Sequence, residues 1–104
     1  PHHLIAKDNK VDKLALEDSV TGEISELEVK GVFPFVGLDP VTDFVKDLGI
    51  TDENGYIITN ELMETKIDGI YAAGDVRQKV LRQVVTATND GAIVGQQVGQ
   101  KLSR

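Results

Sequence analysis

Thr65-Lys66-Ile67-Asp68-Gly69-Ile70-Tyr71-Ala72-Ala73-Gly74-Asp75 is the stretch on which the reading of this chain turns. Ile70 to Ala73 is a short apolar run of the kind that forms a strand covered on both faces, with Gly69 bounding it on one side. Gly74 lets the backbone turn tightly at the other end. The turn delivers the Asp75 carboxylate to the carboxyl end of a strand, which is where open α/β sheets bind ligands. An ionised carboxylate only accepts hydrogen bonds, so it suits a polyhydroxylated chain and repels a phosphate. The plainer alternative is a strand-ending turn with no ligand.

The segment resembles the second flavin-binding motif of flavoproteins built from two dinucleotide domains. In that motif a Thr, a Gly-Ile-Tyr-Ala strand and a terminal Gly-Asp hold the ribityl chain of FAD, and Thr65, Gly69, Ile70, Tyr71, Ala72, Gly74 and Asp75 match it in place. Downstream, Val76 to Leu81 is a short connection, and Leu81 to about Leu102 reads as one long helix that opens on Arg82-Gln83-Val84. This is similar to the last helix of the low-molecular-weight thioredoxin reductases, in which an Arg-Gln pair meets the flavin ring. The resemblance implies a cofactor-binding set of Gly74, Asp75, Val76, Arg82, Gln83 and Val84. A helix amino end favours the negative charge that collects on the pyrimidine edge of a reduced flavin. Gly91, Gly95 and Gly99 recur every four residues and are expected to let the helix pack closely on a sheet.

Upstream, Gly31-Val32-Phe33-Pro34-Phe35-Val36-Gly37 reads as a second apolar strand, although Pro34 removes a ladder donor and points to an edge or a bulge. Asp39 and Pro40 then suit the start of a short helix, as cap and first residue, that Gly49 closes. Asn54-Gly55 marks a tight reversal before a short strand, Tyr56 to Thr59. Before residue 30, two loosely alternating runs flank Asp18-Ser19-Val20-Thr21-Gly22 and predict a β-hairpin. The adjacent His2 and His3 fit a tag remnant or part of a strand, and without a neighbouring Cys or acid they make a poor metal site.

The expected fold class is therefore α/β: a partial FAD/NAD(P)-binding domain of three-layer ββα type, with a β-hairpin, short parallel strands and a long carboxyl-terminal helix. Residues 1–30 are expected to be the tail of an NADPH-binding domain and residues 31–104 the carboxyl-terminal part of an FAD-binding domain. The chain has no Gly-x-Gly-x-x-Gly loop to cradle a diphosphate and no cysteine to exchange disulfides. Together with a Pro1 start, this reads as a truncated piece or proteolytic product of a larger flavoenzyme, inactive by itself. The family resemblance implies FAD and NADPH as cofactors, thioredoxin as partner, and transfer of electrons from NADPH through flavin to a disulfide.

Two other members of the architecture share these motifs: ferredoxin–NADP reductase and the flavoprotein subunit of alkyl hydroperoxide reductase. A non-enzymatic interaction domain is the alternative from another class. The chain is 40% hydrophobic with a formal net charge of −6, which argues against nucleic acid or an anionic membrane as partner. It is read as soluble and cytoplasmic. Unpaired edges on the two apolar strands predict self-association as a homodimer.

Overall fold

The computed structural model describes Pro1–Ser103, whose chain forms two compact units, Pro1–Gly37 and Leu38–Arg104. The first unit is a three-stranded antiparallel sheet in the order β1 (His3–Lys7), β2 (Lys10–Glu17), β3 (Ile24–Glu28). The expected hairpin is β2–β3. Its loop is set by Asp18, whose Oδ1 accepts the amides of Val20 at 2.8 Å and Thr21 at 2.9 Å, with Gly22 in the left-handed region. The Thr21 amide, followed by that of Val20, holds the Asp18 carboxyl below the usual carboxylate range.

β1 is a strand beyond the expected hairpin, with His3 as its first residue. It joins β2 through Asp8 and Asn9, both at positive φ, which is the two-residue turn whose twist matches paired strands. The β1–β2 register shifts between Ile5 and Ala6, whose partners are Lys13 and Val11, so Asp12 is bulged out. Ala15 is buried, whereas every residue of β3 is exposed.

The strand expected at residues 32–36 does not form. Pro34 has no N–H to give, no described strand pairs with this segment, and Phe33, Phe35 and Val36 are exposed.

The second unit is built on irregular segments around Ile50, Ile57 and Ala72, with Val45, Ile67, Ile70 and Val76 packed against them. Burying an Ile or Val side chain stabilises by roughly 1.5–3 kcal/mol, so these few contacts dominate the unit. A 3₁₀ helix spans Asp43–Leu48 with Thr42 as its N-cap residue, not the Asp39-Pro40 start expected. The Thr42 hydroxyl donates to the Gly55 carbonyl at 2.6 Å, which fixes the entry of the helix at Asp43, three residues beyond the Pro40 start expected. Gly49 ends it in the left-handed region, as expected.

Asn54-Gly55 does make the tight reversal: Asp52 Oδ1 accepts the amides of Asn54 and Tyr56, each at 2.9 Å, and Gly55 has φ 90°. The strand expected to follow shrinks to Ile57, which bridges Thr51 antiparallel and Arg77 parallel. The Ile57–Arg77 bridge is the parallel pairing of the described residues. Ile70–Ala73 is likewise not a strand. Tyr71 makes a single antiparallel bridge to Glu64, Met63 turns the partner segment away with φ 65°, and of the four residues only Ala72 is buried.

Helix α1 spans Val84–Leu102. It begins three residues later than expected because Gln83 is extended and gives its N–H to Thr86 Oγ1 at 3.0 Å. Its inner stripe runs through Thr86, Ala87, Asp90, Ile93, Val94 and Gln97, at helical spacing. The expected packing through Gly91, Gly95 and Gly99 is not found. A Cβ built on any of them meets nothing within 4 Å, because the three lie outside that stripe. No helix of the described residues is long and apolar enough to cross a membrane.

Candidate functional site

Gly74 carries φ 88°, a conformation that side chains resist, and so turns the chain sharply out of the core at Ala72. Asp75 comes next and is exposed. Its side chain lines a concavity of about 460 Å³ together with Arg82, Gln83, Val84, Ala87 and Thr88. The acid of the turn and the amino end of α1 therefore face one space. A second concavity of about 330 Å³ adjoins it through Asp75 and Arg82, and is completed by Leu38, Asp39, Pro40, Val41, Tyr56 and Val76.

Of the six residues expected at the site, Asp75, Arg82, Gln83 and Val84 line the first concavity and Val76 the second, while Gly74 lines neither and supplies the turn. Val76 packs on the core and its carbonyl accepts the Ile57 amide at 2.9 Å, anchoring the turn from behind. Arg82 is engaged with the protein itself. Its Nε donates to the Asp75 carbonyl at 2.9 Å, a terminal nitrogen donates to the Arg77 carbonyl at 3.0 Å, and the guanidinium stacks on the Tyr56 ring. Gln83 and Val84 are exposed at the helix start. The first turn of α1 contains no acidic residue, so its positive end is not neutralised locally. Thr65 is buried and serves the preceding loop: its hydroxyl donates to the Ile70 carbonyl at 2.8 Å and accepts the Ile67 amide at 3.2 Å.

Sequence reasoning passed over Asp90. It is 3% exposed, and its Oδ2 accepts from the Gly74 amide at 2.9 Å, Arg77 at 2.9 Å and Lys79 at 2.6 Å. Burial pushes this carboxyl up, but the hydrogen bonds from Lys79, Arg77 and Gly74 outweigh it, and the group is held below the usual carboxylate range. The available signal was an acid on the apolar stripe of α1, between Ala87 and Ile93, where a buried charge requires a partner. Arg77 also donates to the Thr59 hydroxyl at 2.7 Å.

The site is thus a tight turn that presents a carboxylate beside the start of α1, where Gln83 and Thr86 form a reciprocal capping box. The family model described as pyridine nucleotide-disulphide oxidoreductase matches residues 3–91. The thioredoxin reductase of Bacillus subtilis (strain 168) is 53% identical over 92 residues, which is 88% of this chain and 29% of that protein. A crystal structure of thioredoxin reductase from Streptococcus pyogenes MGAS5005 superposes with a TM-score of 0.77 at 50% identity, covering 95% of this chain and 32% of that one. The thioredoxin reductase of T. acidophilum gives 0.73 at 36% identity, with 94% and 33% covered. The chain belongs to the pyridine nucleotide-disulphide oxidoreductase family. It spans under a third of the length of the Bacillus subtilis thioredoxin reductase.

Proposed function

We propose that the protein is a thioredoxin reductase, an FAD-dependent NADPH:disulfide oxidoreductase, and that this chain supplies the acid and the helix start that hold the flavin. The observation that carries this reading is the shared concavity of Asp75 with Gln83 and Val84. The donor chemistry fits FAD: an exposed carboxylate suits ribityl hydroxyls, and an unneutralised helix start suits the electron-rich edge of the ring.

When bound, FAD supplies the redox centre between NADPH and a disulfide. Asp75 accepts hydrogen bonds from the sugar-alcohol chain and orients it. Gly74 and Val76 fix the turn, and the first-turn N–H groups at Val84, which have no intrahelical acceptor, favour negative charge beside them. Arg82 holds the carbonyls of Asp75 and Arg77 and so keeps the turn and the helix start in register. The thiolates that attack the disulfide come from outside this cysteine-free chain. Residues 1–30 would then be the tail of the NADPH domain and residues 31–104 part of the FAD domain. Thioredoxin is the partner, the assembly a homodimer, and the compartment the cytoplasm.

The test is Asp75→Ala in the protein expressed from the complete reading frame. A charge-assisted hydrogen bond is worth roughly 1.5–3 kcal/mol, so FAD affinity should fall at least tenfold. Unchanged affinity overturns the reading.

A further inference from the structure

The turn that carries Asp75 is held from beneath by a residue 15 positions away that does not line the concavity. Three donors from the segment Gly74–Lys79 converge on one oxygen of Asp90: the Gly74 amide, the Arg77 guanidinium and the Lys79 ammonium. Their side chains are largely sequestered, with Lys79 at 8% exposure, Arg77 at 12% and Asp90 at 4%. The other side of the turn is tied by Arg82 through the Asp75 carbonyl. The Gly74 amide is the donor immediately before the ligand-facing acid, so its direction sets where the Asp75 backbone leaves the turn.

Resting on the flavin-binding reading of Asp75, we infer that Asp90 is a positioning residue for that acid. It fixes the Ala73–Gly74 peptide, the one that leads into the Gly74 turn and Asp75, relative to the start of α1, and the two basic residues hold its carboxylate oriented. Removing Asp90 leaves the Asp75 side chain in place chemically but frees the peptide that aims it. The loss of flavin affinity should therefore pass through Asp75.

A double-mutant cycle on the protein expressed from the complete reading frame tests this, with FAD titrated into stripped protein well below its unfolding temperature. Asp90→Ala, measured in a Lys79→Met background so that fewer uncompensated cations remain, should weaken FAD binding about tenfold. In an Asp75→Ala background the same change should weaken it less than twofold. An Asp90 effect of equal size in both backgrounds overturns the inference and marks Asp90 as structural only, as does no effect in either. If Asp75→Ala alone leaves affinity unchanged, the flavin-binding reading itself has failed. Hydrogen exchange in the unmutated protein provides an independent check. The Gly74 amide should exchange at least a hundredfold slower than in an unstructured peptide, and free exchange there overturns the inference even if the variants do not fold.

Discussion

The Arg82 guanidinium carbon lies 3.7 Å from the centroid of the Tyr56 ring, and the same group donates to the carbonyls of Asp75 and Arg77. One side chain thus closes three segments onto each other: the reversal at residues 52–56, the turn at Gly74 and the start of α1. The planar fork of arginine is what permits stacking and two directed hydrogen bonds at once.

Arg82→Lys should therefore behave as a disruptive substitution. Stacking on tyrosine contributes about 0.5–2 kcal/mol and each hydrogen bond about 1 kcal/mol, so a loss of about 1–3 kcal/mol is expected in urea unfolding. Tyr56→Phe keeps the ring and should cost less, since its hydroxyl reaches only the exposed Leu38 carbonyl at 3.2 Å. If the lysine variant unfolds at the same midpoint as the parent, the clamp has no energetic weight.

Asp90 gives the molecule a defined acid response. The hydrogen bonds from Lys79, Arg77 and Gly74 hold its carboxyl below the ordinary aspartate range, so its contribution is complete above about pH 4 and is lost as the pH falls through the lower folded value. Asp90→Asn should cost about 3–5 kcal/mol at pH 7, because two buried cations lose their partner. The gap between parent and variant should close below pH 4. A gap that stays constant from pH 7 to pH 2 would show that the carboxylate's charge is immaterial.

Two glycines with similar φ separate strain from crowding. Gly55→Ala forces a Cβ to within 3.2 Å of both Pro40 Cγ and Thr42 Oγ1 on top of an unfavourable φ of 90°. At Gly74 the nearest atom to such a Cβ is Ala87 Cβ at 3.9 Å, an ordinary contact, so only the backbone penalty of about 1–2 kcal/mol applies. Calorimetry should show the larger loss of Tm for Gly55→Ala, while Gly74→Ala should carry the larger loss of FAD retention. The reverse ranking in either measurement would contradict this division.

Thr65→Val is a near-isosteric way to delete a buried hydroxyl. The Ile70 carbonyl loses its 2.8 Å donor and the Ile67 amide its acceptor, for an expected cost of about 1–3 kcal/mol. Chemical denaturation of the purified variant measures it, and a value near zero would mean that the loop finds other partners.

What could be read from residue types follows a physical line. The Asp18 loop, the Asn54-Gly55 reversal, the Gly49 helix stop and the union of Asp75 with the helix start were all legible. Each rests on local backbone preference or on a short, specific pattern. The strands at residues 32–36 and 70–73 were misread because apolar runs state only that a segment seeks cover, and among the described residues neither finds a ladder partner. Asp8-Asn9 was missed although both residues tolerate positive φ, since the strand before it lacks clear alternation. Asp90, and the stacking of Arg82 on Tyr56, were hidden for a different reason. Their partners, Gly74 and Tyr56, lie 16 and 26 positions away, and nothing local encodes those distances.

Helix α1 is fastened at Asp90, almost two turns in, while Val84 and Val85 at its tip are 80% and 70% exposed. A rod gripped partway along keeps its bearing whatever is attached to the overhanging end. Evolution can therefore exchange the residues at that tip to suit a new occupant without redirecting the axis that points at it.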